Sequence, residues 1–360
     1  MILVNVEMVN VMKKILCCLL FVVLIISSCA DKKALLIGQY NESPVIKIQY
    51  WGNNWQSLPL SHRISPAPPE LIERIRMENE LNGYTEKTVS ATPPRAYIEA
   101  LESIESRLPE PVRKLAAERI IGIFTVDDLG TSGYAEAVKD ERGNEKYVII
   151  VLDEKVLLAR KANEWATWKE NSAFKPISGN NNRMQAIIEM DQADTVVNAI
   201  RYVLLHEIGH ALGLASHVHP SWGIGKPAPV ELPFPRLSWT LNDNGRIVSF
   251  FDKQFPERAS IRYYSFEKAR LSIDQIVPVY QKLRDHTNFP TLYAATNQWE
   301  DFAESFVTYF HVILENRPWH IIIKNPGKRD NIFKTCWGET RCAAKQAFME
   351  KWFADPQEIK

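Results

Sequence analysis

Apolar positions along this chain recur with two periods, and the change from one to the other marks out its elements. Near 69–82 and again near 95–106 they return every three or four residues, on either side of the TPP at 92–94, which predicts two amphipathic helices. RIIGIFTV (119–126) and YVIIVLD (147–153) are instead unbroken, β-branched runs of strand length. GTSGY and KDERGNEK between them read as loop, the second as a hairpin tip. IKIQYW (46–51) predicts an edge strand, and four prolines within 57–69 predict a linker or wrapped arm. A helix is expected over 155–169, a break at KPISGNNN (175–182), then a long helix from about Asp194 to Leu212 that is apolar nearly all round. Asp194 or Thr195 would cap it and Gly213 would stop it. Downstream, LNDNG (241–245) between SWT and RIVSFF predicts a hairpin. A helix near 265–285 follows, NFP breaks the chain at 288–290, and a helix from about Asn297 to Leu314 closes the ordered part. Strands before the long apolar helix and mostly helices after it predict an α+β fold.

The first 30 residues follow another pattern. Lys13 and Lys14 precede a twelve-residue apolar run, Ile15 to Ile26, then Ser27, Ser28 and Cys29. As a helix the run is about 18 Å long, too short for a hydrocarbon core of roughly 30 Å, so it reads as a signal peptide over 1–28. Its end resembles a bacterial lipobox, and that resemblance makes Cys29 the lipidated first residue of the mature chain, anchored to the membrane by several acyl chains. Ala30 stands where an Asp would imply inner-membrane retention, which favours the outer membrane of the envelope. A plain signal peptide with an incidental cysteine is the other reading, and Met12 is a second candidate start.

Composition narrows the classes. The 43 Lys+Arg balance 43 Asp+Glu, so no excess charge argues for nucleic acid or an anionic surface as partner. Ten Trp, 12 Tyr and 15 Phe exclude a disordered chain. Of five cysteines, Cys17 and Cys18 leave with the signal; Cys336 and Cys342 can bridge the segment CWGETRC around Gly338, provided it is a loop.

The chemistry concentrates in LLHEIGHALGL (204–214). On a helix, residues four apart differ by about 40° of rotation, so His206 and His210 leave one face one turn apart, as two imidazoles sharing a zinc ion require. Glu207, about 100° round, would stand beside the ion as general base while the metal lowers the pKa of a water toward about 7. A catalytic zinc usually takes three protein ligands. The downstream pattern HExxHxxGxxH fails, because Ser216 occupies its last position and His217 arrives one residue late. NQWEDFAESF (297–306) offers Glu300 and Glu304 on one helix face: one carboxylate to bind metal, the next to take the spare N–H of a ligand histidine. Asn297 with Glu300 is also a capping box, which would explain Glu300 but not Glu304.

HEIGH followed by a separate helix with ExxxE resembles the gluzincin metallopeptidases, and TLYAATNQWEDFAESF is locally similar to the lethal-factor type of catalytic domain among them. The resemblance implies a two-lobed zincin-like fold with His206, His210 and Glu300 on one Zn2+, Glu207 as base and Glu304 behind a ligand histidine. It also implies Tyr293, seven residues before Glu300, near the developing oxyanion; a tyrosine that merely packs there is the alternative. The expected organisation is a signal peptide (1–28), an N-terminal linker and helical arm (29–115), a catalytic domain (116–330) with an insertion over 218–290, and a C-terminal tail (331–360). The expected function is zinc-dependent peptide hydrolysis by an envelope lipoprotein, with a peptide or protein as partner. A metal-holding lipoprotein that binds without cleaving is the rival, and hydrolysis of a non-peptide amide is a third reading.

Overall fold

Pro44 redirects the chain where the edge strand over 46–51 was expected. The computed structural model describes residues 32–178, 183–220, 232–264, 268–324 and 329–358; the expected signal peptide and Cys29 lie outside the described residues. A helix over 32–41 (α1) leads into a 3-10 turn, Pro44–Ile46, and a single helical turn, Ile48–Trp51 (α2). Trp51 donates to the Val45 carbonyl at 2.8 Å and stacks on Phe124, which lays that end of the segment on a sheet face, while Lys47 keeps a single parallel bridge to Lys139 at the sheet edge.

The proline-rich segment contributes β1 (Ile64–Pro66) before α3 (Pro69–Asn82), β2 (Val89–Ser90) and α4 (Arg95–Glu105). Then comes a helix the pattern did not reveal, α5 (Glu110–Arg119), whose buried stripe is only Val112, Leu115 and Ala116. β3 (Ile120–Asp127), β4 (Gly133–Lys139) and β5 (Glu145–Asp153) complete a five-stranded sheet in the order β1-β3-β5-β4, with β2 on β3. β1, β3 and β5 run parallel while β4 returns antiparallel to β5. β5 is therefore internal, covered on both faces as a continuous apolar run should be. The edge is β4, whose sequence GYAEAVK shows little apolar alternation.

The expected helix over 155–169 is two, α6 (Glu154–Leu158) and α7 (Ala162–Asn171). β6 (Phe174–Lys175) and β7 (Arg183–Ile187) precede α8 (Val196–Ala215), in which every residue from Ala199 to Leu214 is buried. The expected hairpin forms as β8 (Trp239–Leu241) and β9 (Ile247–Ser249). β10 (Leu271–Ser272) pairs with β6, and α9 starts only at Ile276, running to His286 behind a Ser272–Gln275 capping box. α10 (Gln298–Thr308) widens into a π turn, Tyr309–Leu314. Order does not end there. β11 (His320–Lys324) pairs antiparallel with β7 and with β12 (Asn331–Lys334), and α11 (Ala343–Ala354) buries Trp352 and Phe353. The segment expected as a tail is thus folded, because its Met349, Trp352 and Phe353 join the large core. Cys336 and Cys342 are bridged, with Cα atoms 5.7 Å apart.

Two cores flank the sheet. One joins α3 and the 44–55 segment to Ile121, Val126, Ile149 and Val151; the other joins α4, α5, α8 and α10 to Ile120, Ile123, Ile150 and Leu152. Alternate residues of β5 serve opposite faces, as a pleated strand dictates, while in β3 an irregularity between Ile120 and Gly122 shifts the alternation by one residue. The helix expected to stop at Gly213 continues to Ala215, with Ser216 as cap and His217 at φ 56°. Gly213 is needed for space instead: a Cβ there would sit 2.6 Å from Phe302 Cδ1 and against the His219 ring. At Gly209 a Cβ would meet Ala303 Cα at 3.1 Å, so α8 and α10 cross almost backbone to backbone. Among the described residues no helix is long and apolar enough to cross a membrane.

Candidate metal centre

That close crossing sets the ligands facing one another. Thr195 caps α8, its Oγ1 accepting the Asn198 N–H at 3.2 Å, and the helix then carries His206, Glu207 and His210 into the core at 8%, 4% and 6% exposure. Asn297 caps α10 by accepting the backbone N–H groups of Trp299 and Glu300 at 3.0 and 2.9 Å. The cap uses the backbone of Glu300, so its carboxylate is available to turn inward.

Glu300 Oε2 lies 3.1 Å from His206 Nε2 and 3.3 Å from His210 Nε2, and the two nitrogens are 3.1 Å apart. Three tetrahedral ligands each about 2.05 Å from an ion would be about 3.3 Å from one another, so this triangle has the size of a metal site. Glu300 Oε2 and Glu207 Oε2 are buried with no hydrogen bond of acceptable geometry. Lone pairs this close repel unless a proton or cation lies among them, so a divalent ion fits the residues present. His206, His210 and Glu300 can hold a metal ion. His217 is exposed and stands outside this group, and His219 turns its Nδ1 to the Pro220 carbonyl at 2.9 Å. The histidine alternative for the third ligand is therefore not the arrangement adopted.

Glu304, one turn beyond Glu300, brings Oε1 within 3.1 Å of His206 Nδ1. A donor at Nδ1 leaves the Nε2 lone pair for the ion. The rest of Glu304 is also occupied: Oε1 meets Lys169 Nζ at 3.0 Å and Oε2 accepts the Thr291 hydroxyl at 2.6 Å. Burial alone would raise this carboxyl, but Lys169 and His206 outweigh it and hold Glu304 down at about 2. For His206 burial works downward, and the contacts with Glu300 and Glu304 override it, lifting the imidazole to about 10. Burial lifts Glu207 against the pull of both histidines, so it is the site's readiest proton acceptor among the carboxylates.

Tyr293 stacks on the His206 ring at 5.7 Å and meets Tyr263 edge-on at 4.7 Å. Burial, then the Glu300 charge, keeps its hydroxyl protonated. His206, Glu207, His210, Tyr293 and Glu300 line one cavity of 1120 Å³ that continues along β4 to Tyr40 and Glu78. Lys169 and Thr291 were not foreseen. Lys169 sits in WKEN, which reads as a solvated helix face, and Thr291 in a loop.

The structure thus brings His206, Glu207, His210, Tyr293, Glu300 and Glu304 together from three chain segments, while Cys29 lies outside the described residues. Comparison with protein-family models, with curated proteins and with solved structures returned no match for this chain.

Proposed function

We propose that this chain is a zinc-dependent peptide hydrolase of the gluzincin type, with a two-lobed zincin-like arrangement, held at the bacterial cell envelope through a lipidated Cys29. One observation carries the reading: the ligand atoms of His206, His210 and Glu300 converge within 4.8 Å, with the buried carboxylate of Glu207 on the same cavity. When bound there, zinc supplies Lewis acidity, making water more acidic and polarising a peptide carbonyl. Glu207 takes the proton of the attacking water and later passes it to the leaving amine. Tyr293, kept protonated, donates to the oxygen that gains charge. Glu304 holds the His206 ring in orientation. YVIIVLD, whose strand pattern suggests an edge for an extended peptide, is β5 and lies inside the sheet; the edge is β4, bridged at Lys139 by Lys47, and an extended peptide can add along the rest of it with its scissile bond beside Glu207.

Glu207→Gln tests the base. It should retain zinc at the wild-type stoichiometry and lose roughly 10²–10⁴-fold in kcat on a mixed peptide pool. Unchanged turnover would end the assignment, and zinc with no cleavage by wild type would favour the non-catalytic lipoprotein. The anchor is tested separately: Cys29→Ala should abolish incorporation of labelled palmitate in a bacterial host, and label retained by that variant would remove the anchor from this reading.

A further inference from the structure

Lys169, on α7, is 5% exposed, and its ammonium touches no water-facing partner. It lies 3.0 Å from Glu304 Oε1, 3.9 Å from Glu170 Oε1 and 4.2 Å from the centre of the Tyr293 ring, with the rings of Tyr263 and Trp165 within 5.8 Å. Removing an ammonium from water costs several kcal/mol, and a buried ion pair seldom repays that better than a well-packed apolar side chain would. Stability alone therefore does not account for a lysine here. Two carboxylates face it. Glu170 is already served by the Tyr263 and Tyr280 hydroxyls at 3.1 and 2.6 Å. On Glu304, by contrast, the oxygen that meets Lys169 is the one that faces His206 Nδ1.

We propose that Lys169 is a positioning residue for the metal centre: its ammonium, 3.0 Å from Glu304 Oε1, pins the carboxylate oxygen that meets His206 Nδ1, so that Glu304 holds the imidazole with Nε2 directed at the ion. The inference rests on the metal reading of His206, His210 and Glu300. Without that ammonium only the Thr291 hydroxyl, on Oε2, would still anchor Glu304, and the oxygen that faces His206 could swing away and let the ring rotate. The same ammonium lies over the Tyr293 ring that stacks on His206, which restrains the imidazole from its other side.

The test is zinc affinity, measured by competition with a chromophoric chelator, for wild type, Lys169→Met, Glu304→Gln and the double variant. Each single variant should bind zinc 10–100-fold more weakly, as is typical when a group behind a metal ligand is lost. The double should lie within about threefold of Glu304→Gln, because Lys169 acts through that carboxylate. Wild-type affinity in Lys169→Met, or a double whose loss is the product of the single losses, would overturn the proposal. If Lys169→Met fails to fold, Lys169→Met/Glu170→Gln removes the second buried charge. Folded and weakened in zinc, it supports the proposal; folded with wild-type affinity, it overturns it. A wild-type chain that binds no zinc would instead sink the metal reading itself.

Discussion

Gly213 shows how one absent methyl group separates two readings of a helix. As a C-terminal stop it would have needed a left-handed backbone, but it lies inside α8, and the left-handed residue is His217. What it provides is room for the rings of Phe302 and His219. Gly213→Ala should therefore destabilise the fold by about 1–3 kcal/mol, the cost of overpacking, even though alanine is the better helix former. Chemical denaturation would read this, and a stabilised variant would show that the space beside Gly213 accepts a methyl group. The same distinction governs what was legible at this scale. His206, His210, Glu300 and Glu304 could be paired from spacing because helix rotation is arithmetic. Lys169 could not: its partner Glu304 lies 135 residues away, and only tertiary structure says which face of α7 is buried.

At the scale of elements, α10 depends on its first residue. Asn297 takes two backbone N–H groups and thereby starts the helix where Glu300 must turn inward. Asn297→Ala should cost about 1 kcal/mol of stability, with zinc affinity falling alongside it as Glu300 loses its fixed start. Thermal melts with and without metal would measure both, and a variant unchanged in each would show that packing alone positions Glu300. Long periodic elements were readable in the sequence: α3, α4, β3, β5 and α8 lie within a few residues of their expected bounds. The losses have physical causes. α5 carries too few apolar residues to show a period, β4 is an edge strand that mixes Tyr134 and Val138 with small and charged residues, and α2 follows a proline that diverts a strand-like run. β12 follows β11 as its antiparallel neighbour, while β11 and α11 gain their place from partners far away in sequence, β11 against β7 and α11 against α5 and α10. No local pattern carries that information.

Across the whole molecule, the cavity links the metal centre to a second group of ionisable side chains on the opposite face of the sheet. There burial, then Glu136, lifts Glu78 to about 7, against the pull of Arg74 and Tyr40. A carboxyl whose folded pKa is raised stabilises the fold below its unfolded value, near 4.5, and loses that contribution as pH rises to about 7. Wild type should thus lose stability relative to Glu78→Gln over that window, read as the difference between their melting temperatures from pH 4.5 to 8. A difference independent of pH would show that Glu78 titrates normally. The near-contact of α8 and α10 at Gly209 has a consequence at this scale too. Since Gly209 immediately precedes His210 in sequence, the spacing of the two main chains sets how far the imidazoles and the opposing carboxylate must reach toward one another. A methyl group added at Gly209 would force Ala303 to recede by a few tenths of an ångström and so loosen the fit of the three ligand atoms around whatever cation they could hold.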